Sequence, residues 1–408
     1  MDAPGHKFTR VYALGSNGRG QLGIGHRDDV NKPTHAMFSC TKGNCVGLHD
    51  DSVAKIVGGG NHTLLLTQSG RLYWAGDTKS FTFPLHSQMH NMPSTQIQSS
   101  NIYSEYALHF YEFHLHNAIR GVADLDFVPP FHVQNIAATF EASIIVVRDS
   151  RGKMRVWSCG EGHKGELGVQ AGTKLLTAGK TNDMNDLLPV DDFVPPGEDI
   201  VDLAASMSHV VAVLSNGEAW GWGTGRKGQL GAPIQNVIFT PRKIEGVPFP
   251  VRRAVCGTVF TCLFGEPRTG DYIVLGPDKY RINAKAPTNE SIIGWKDVDA
   301  SFGHIYVLKS DGLLECWGRN DTLEVPPNGL GPMAYIRAGS EHVVALDLSG
   351  KAWAWGWNEH GNCGRSVTGN PLASSTDLSR TPGALITAIG AGWATSWVAV
   401  DEPEPCEH

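Results

Sequence analysis

Apolar residues along this chain alternate in short runs. Leu64, Leu66, Leu72 and Trp74 fall at intervals of two on either side of Ser69-Gly70, the period of a pleated strand whose alternate side chains share a face. Asn216-Gly217, Asp311-Gly312 and Ser349-Gly350 stand at equivalent places. These pairs predict two-residue hairpin turns, because Asn, Asp and Gly tolerate positive φ. The pattern therefore predicts short antiparallel strands and an all-β chain.

The unit containing such a hairpin recurs. VAKIVGGGNHTLLLTQSGRLYWAGD from Val53, IVDLAASMSHVVAVLSNGEAWGWG from Ile200, VDASFGHIYVLKSDGLLECWG from Val298 and YIRAGSEHVVALDLSGKAWAWG from Tyr335 superimpose over their middle. Eroded copies start at Ile136 and Val251. A glycine-rich phrase follows the third strand, as VYALGSNGRGQLGIG from Val11, VWSCGEGHKGELG from Val156, WGWGTGRKGQLG from Trp220 and, decayed, WAWGWNEHGNCG from Trp353. Such self-similarity is the signature of a repeat architecture.

Six starts are complete and a seventh is split. LITAIGAGWATSWVAV from Leu385 supplies two strands, while VYALGSNG from Val11 supplies a third with nothing before it. Unless these halves meet, two sheet edges stay unpaired. The expected fold is thus an all-β, seven-bladed β-propeller closed by strands from both termini, with residues 1–408 as one domain. Residues 80–133 carry no repeat phrase and are expected to be an irregular insertion or a drifted blade strand. Residues 170–198, reaching past Pro195-Pro196, form a second irregular stretch.

Composition agrees with this reading. Glycine supplies 48 of 408 residues, above the usual ~7%, and the repeated tight turns account for the excess. A hydrophobic share of 41% with 11 tryptophans excludes global disorder. The segment MDAPGHKFTR has no apolar run of signal-peptide length and no stretch of ~18 apolar residues occurs, so a soluble protein of the cytoplasm, and secondarily the nucleus, is expected. The 8 cysteines are scattered, which suits buried free thiols in a reducing compartment better than disulfides. A net charge of −7 argues against nucleic acid or nucleosomes, which want a basic face; a local patch at Arg226-Lys227 stays open.

No catalytic constellation emerges. His62, His209, His304 and His342 hold the same place in successive units, which keeps them a blade apart instead of on one ion. Each is expected to bond backbone within its own blade. Cys40-x4-Cys45 with His35 and His49 is looser than a C-x-x-C knuckle and lacks a second pair. His86, His90, His109, His114 and His116 show no H-E-x-x-H spacing. Gly18-Arg19-Gly20 lies in a turn, and neither G-x-S-x-G nor a phosphate-binding loop is present. The expectation is a non-enzyme that holds no cofactor or metal.

Function is then expected at turns that a rigid ring presents together. Most copies fill the two positions before the motif histidine with small or polar residues, but two place a large aromatic there, Phe302 and Trp393. Arg319-Asn320-Asp321 follow the third strand of the Phe302 unit, and Trp357-Asn358-Glu359-His360 that of the next. Aromatics and arginine dominate interface hot spots. The expected partner-binding residues are Phe302, Gly303, Arg319, Asn320, Asp321, Glu341, Glu359, His360 and Trp393, although packing of the two rings into neighbouring blades is the alternative.

The Gly-x-x-His turn, the Ser/Asp-Gly hairpin and the WGxnxxGQLG phrase together resemble the regulator-of-chromosome-condensation repeat, which builds seven-bladed propellers, from about Val11 to Val400. VYALGSNGRGQLGIGHRDDVNKPT, IVGGGNHTLLLTQSG, AGSEHVVALD and the terminal ATSWVAV resemble, more narrowly, the fungal alpha-tubulin-suppressor or killer-toxin-insensitivity group of stand-alone propellers. That resemblance implies a heterodimer with a small CSL-type zinc-finger electron carrier. It implies, through that partner, an indirect part in diphthamide formation on elongation factor two and in Elongator-dependent modification of wobble uridines in tRNA. The better-known relatives imply a second reading, a guanine-nucleotide exchange factor for a small GTPase, with 80–133 as the candidate wedge. Chromatin binding ranks third and a ubiquitin-ligase role fourth.

Overall fold

The computed structural model describes residues 7–40, 43–77, 108–113, 129–170, 187–190, 193–319, 324–364, 376–377 and 385–403. One antiparallel unit generates nearly all the strands among them. Its first strand is Val53–Gly58, followed in later copies by His132–Ala138, Ile200–Ala205, Arg253–Cys256, Trp295–Ala300, Met333–Ala338 and Leu385–Ala391. Second strands are His62–Thr67, Ala142–Arg148, His209–Leu214, Thr261–Phe264, His304–Lys309, His342–Asp347 and Thr395–Pro403. Third strands are Leu72–Gly76, Met154–Gly160, Ala219–Thr224, Tyr272–Leu275, Leu314–Gly318 and Ala352–Gly356.

The last copy takes its third strand from the other end of the chain. Lys7–Gly15 pairs antiparallel with Thr395–Pro403, Lys7 opposite Pro403 and Gly15 opposite Thr395, and Val30–His35 pairs with it outside. One parallel contact, Ala391 opposite Val57, merges this set with the Val53 copy into a nine-stranded sheet where separate blades were expected. Tyr111–Phe113 pairs with Leu72–Trp74, so part of the 80–133 stretch is the outer strand of the first copy. The rest of that stretch, 80–107 and 114–128, lies outside the described residues.

Second strands are buried except toward the ends of three of them, at Arg148, Lys309 and Asp401-Glu402, and the period of two sorts their side chains between neighbours. Leu64 and Leu66 pack with Ile136, Ile145, Val147 and Trp157 of the next copy, whereas Leu65 packs with Val11, Ile56 and Trp397 on the other side. The same division places Ile305 and Val307 in one cluster and Tyr306 and Leu308 in the next. Each fully buried leucine contributes roughly 1.5–3 kcal/mol. The seven first strands all line a common cavity of about 190 Å³ on the axis of the array.

The hairpins correct the predicted turn type. Gly70 N–H donates to Thr67 O, and Thr67 N–H to Arg71 O, which makes a three-residue loop closed by a glycine bulge. Only the glycine has positive φ, 84° at Gly70 and Gly217. The preceding Ser, Asn or Asp is not in that region, and Asn216 and Asp311 instead accept from the N–H two residues on, at 2.9 Å each. The disulfide expectation is corrected too, since Cys45, in a short hairpin outside the repeated unit, is disulfide-bonded. Cys159, Cys256, Cys262, Cys316 and Cys363 are free. His35 packs on Tyr12 at 4.4 Å and His49 on Phe8 at 4.8 Å, so neither turns toward a shared ion.

The motif histidines are buried, but they do more than serve their own copies. His209 Nε2 lies 3.2 Å from Thr261 Oγ1, and His342 Nε2 3.0 Å from Ser396 Oγ, both on the following copy. His304 Nε2 stays within its unit, 3.1 Å from Arg319 O. The expected intra-blade bonding is therefore wrong for two of them, because each second strand packs directly against the next.

Two predictions concern stability. Gly223, at the end of a third strand, has φ 99°, and a Cβ there would stand 2.4 Å from Ser208 O, whereas Gly152, with φ 81°, has nothing within 4 Å. Gly152→Ala should cost ~1 kcal/mol, the left-handed penalty alone, and Gly223→Ala clearly more, measured by urea unfolding. Burial pushes His62, His209 and His342 down to about 4. Unfolding raises them toward their ordinary value of 6.5, so the unfolded chain binds more protons below that pH. Each therefore removes ~3 kcal/mol as pH falls from 6.5 to 4. The urea midpoint should drop steeply across that window, and less steeply in His209→Gln.

Candidate functional site

Every copy makes the turn from first to second strand in four residues. The N–H of the first donates to the carbonyl of the fourth, as Gly59 to His62, Thr139 to Ala142 and Ser301 to His304. In five of the seven copies the N–H of the second residue then donates to a neighbouring copy. Gly60 N–H donates to Phe140 O, Phe140 N–H to Met207 O, Thr258 N–H to Phe302 O, Phe302 N–H to Ser340 O, and Ser340 N–H to Gly392 O. These bonds form a backbone collar around the end of the axial cavity, with donors and acceptors kept from water by pairing.

The collar presents its second-position side chains together. Phe302 and Trp393 meet edge to face with ring centroids 4.7 Å apart. Phe140 joins them from the far side, 4.5 Å from Trp393. All three are half-buried. Phe140 escaped the sequence reading because its copy has Ala142 in place of histidine. Counting back from the second strand, as Thr139-Phe140-Glu141-Ala142, puts it at the Phe302 position. Phe302 and Trp393 pack on one another over the axis and not into adjacent blades, an arrangement worth ~1 kcal/mol beyond area burial.

Beside them, Arg319 is fixed by two carboxylates. Its Nη1 donates to Glu341 Oε1 and its Nη2 to Glu324 Oε1, both at 2.7 Å. Its own N–H donates to Gly303 O at 2.9 Å, which ties it to the Phe302 turn. Glu324 is fully buried, with His304 Nδ1 3.4 Å away and Tyr306 Oη 3.3 Å away. Burial alone would raise the Glu324 carboxyl, but the His304 hydrogen bond and the Arg319 charge hold it below its ordinary value. Glu324 lies where other copies carry the Glx of the glycine-rich phrase, such as Gln21, whose Oε1 takes the Arg19 N–H at 2.9 Å. It was missed because residues 320–323 break the phrase.

The remaining expected residues fall in two groups. Asn320 and Asp321 lie outside the described residues. Glu359 and His360 sit one copy further round: Trp357 N–H donates to Glu341 O at 2.8 Å, and the Trp357 ring is 5.3 Å from His360. His360 Nδ1 is 2.6 Å from Asp29 Oδ2, in an open pocket of about 630 Å³ that includes Asn31, Lys32 and Glu359. Among the described residues no group of three or more His, Cys, Asp or Glu is placed to hold a metal ion.

A model of the regulator of chromosome condensation (RCC1) repeat matches residues 10–66 and 216–264, and a second model of that repeat matches 334–362. These three stretches are similar to RCC1 repeats. An RCC1 repeat-containing protein of Schizosaccharomyces pombe is 28% identical over 400 residues, 96% of this chain and 99% of its own length. The mouse secretion-regulating guanine nucleotide exchange factor is 23% identical, over 97% of this chain and 85% of its length. The crystal structure of human WBSCR16 superimposes with a TM-score of 0.67 at 16% identity, covering 96% of this chain and 98% of that one. At that identity the likeness speaks for the fold, an RCC1-type β-propeller.

The Arg319 network separates its two carboxylates. Glu324→Ala leaves Arg319 and His304 facing a buried gap and should cost ~3 kcal/mol or more. Glu341→Ala, at a partly exposed pair, should cost under ~1 kcal/mol. Urea midpoints of the two variants measure the difference.

Proposed function

We propose that this chain is a seven-bladed propeller, closed by the pairing of its two ends, that acts without catalysis by holding a small partner protein on the collar face. The partner is a CSL-type zinc-finger electron carrier, and the pair forms a heterodimer in the cytoplasm and nucleus. Through it the propeller supports diphthamide synthesis on elongation factor two and Elongator-dependent modification of tRNA wobble uridines. The observation that carries the docking surface is the Phe140–Phe302–Trp393 cluster, three half-buried rings on a rigid backbone collar beside the Arg319–Glu341 pair. Large aromatics with a pre-positioned arginine are the residue types that anchor interfaces at low entropic cost. The identity of the partner rests on the resemblance of the repeat phrases to the fungal stand-alone propellers.

The exchange-factor reading draws on the name of the mouse relative. No wedge is visible for it among the described residues. Affinity purification of the tagged chain should recover a stoichiometric zinc-finger protein of under about a hundred residues, a typical single-domain size. Recovery of a small GTPase, with faster nucleotide release in its presence, would reverse the ranking. With the purified partner, Phe302→Ala should weaken binding by ~2 kcal/mol, roughly 30-fold in Kd, and calorimetry showing unchanged affinity would remove Phe302 from the interface.

A further inference from the structure

On one side of the Phe302 turn the collar face is basic, against the trend of a chain whose net charge is −7. Two loops leave third strands there, 225–236 after Ala219–Thr224 and 276–287 after Tyr272–Leu275. Between them they carry Arg226, Lys227, Lys279, Arg281 and Lys285, with Asp278 as their one carboxylate. Arg226, Lys227, Lys279 and Arg281 are exposed and make no ion pair among the described residues. Asp278 is turned back on its own loop, where its Oδ1 takes the Asn283 N–H at 2.8 Å and its carbonyl the Arg281 N–H at 3.1 Å. Arg281 has a φ of 58°, uncommon for a residue other than glycine, and the reversal there buries Ile282 while leaving Arg281 outside.

These loops are joined to the aromatic centre. Tyr280 touches two cations within cation–π range, Lys279 Nζ 5.0 Å and the Arg319 guanidinium 6.0 Å from its ring centroid. Its hydroxyl is 3.4 Å from Thr258 Oγ1, which donates to Phe302 O at 2.7 Å. Arg319 adds no net charge, because Glu324 and Glu341 neutralise it. Arg226-Lys227 continue the basic arc one copy back. Lys227 N–H donates to Gln229 Oε1 as Lys164 N–H does to Glu166 Oε2, so the two lysines hold equivalent places. Lys164 Nζ is 3.3 Å from the Ser208 hydroxyl of the following turn, and the same geometry sets Lys227 beside the Thr258 turn. Beyond both ends of the arc the face turns acidic, with Glu141 and Glu161 joined through Glu161 N–H to Glu141 O on one side, and Glu359 and Asp29 on the other. A long polyanion such as RNA crossing the face meets like charge at either end, whereas a short acidic stretch of protein meets only the basic arc.

We propose that the arc from Arg226 to Arg281 receives an acidic segment of the small partner protein, laid across Tyr280 while apolar side chains of that partner seat on Phe302 and Trp393. This rests on the collar-face reading above and adds to it the charge of the partner's contact surface and its direction, outward from the axis over the Ile200 and Arg253 copies. Exposed rim charges act chiefly on the rate of association, and well-packed central anchors on dissociation.

Stopped-flow association of the full chain with the small protein that co-purifies with it separates the two. Lys279→Glu combined with Arg281→Glu should slow association at low salt by about 10-fold or more and leave dissociation little changed. Raising the salt to about 1 M, where the screening length falls to ~3 Å, should erase the difference. Phe302→Ala should instead speed dissociation. Arg151→Glu with Lys153→Glu, an exposed pair in a hairpin at the opposite end of its strands, makes the same change in net charge and should alter neither rate. An arc variant that associates as fast as the unaltered chain, with Phe302→Ala still impaired, would overturn the arc and leave the collar standing. A second probe does not depend on the partner: a fluorescein-labelled peptide of Asp, Glu and Ser should bind the unaltered chain at low salt, and the arc variant about 10-fold more weakly. No saturable binding of that peptide, or tighter binding of a single-stranded RNA oligomer of equal charge, would also overturn the proposal.

Discussion

Two backbone segments approach each other more closely in five of the repeats than any side chain would allow, and the rest of the molecule is arranged around that contact. The glycine ending each third strand lies against the residue that precedes the second strand. A Cβ at Gly15, Gly76, Gly223, Gly276 or Gly318 would stand 2.1 to 2.4 Å from the carbonyl oxygen of Ala394, Asn61, Ser208, Val259 or Gly303. This approach fixes the level at which the four-residue turns sit, and so lets turns from successive copies bond to one another in a collar. Side chains on the collar inherit their positions from backbone hydrogen bonds and do not need packing of their own to hold them.

That inheritance explains how a surface assembled from copies far apart in the chain can be rigid. Phe140, Phe302 and Trp393 come from different copies, yet each is the second residue of the same turn, so their rings reach a common centre. Arg319 is oriented from beneath by Glu324, a carboxylate kept ionised in a buried place by histidine and arginine, and from the side by Glu341. Pre-orientation of this kind reduces the side-chain ordering that binding must otherwise supply. The axial cavity follows from the same geometry, because small residues on the first strands leave room where seven of them converge.

Much of this was readable in the residues, for local reasons. Alternation of Leu64 and Leu66 with Leu72 and Trp74 marked the strands, and the split repeat at Val11 and Leu385 marked strands that need each other; Lys7–Gly15 pairs with Thr395–Pro403. Phe302 and Trp393 stood out because they depart from the repeat at a position the repeat itself defines, and Arg319 because it follows the third strand of the Phe302 copy. Phe140 and Glu324 were missed for the converse reason: erosion of histidine to Ala142 and of the glycine-rich phrase after Arg319 erased the landmarks by which their positions are counted. The hairpin type was misread because a Ser-Gly or Asn-Gly pair fits both a two-residue turn and a three-residue loop with a glycine bulge, and strand register chooses between them.

The sequence by itself determined the unit: strand lengths, the glycines at corners, the buried histidine, and the number of times these recur. Those are properties of neighbouring residues, set by φ, by side-chain alternation and by local hydrogen bonding. What only the tertiary structure decided is which copies face each other across the axis. Phe140 against Trp393, and His209 bonded to Thr261 of the following copy, are contacts between residues that lie far apart in the chain. They arise because the copies turn about one axis, and a rotation accumulated over the whole array is not encoded in any single repeat.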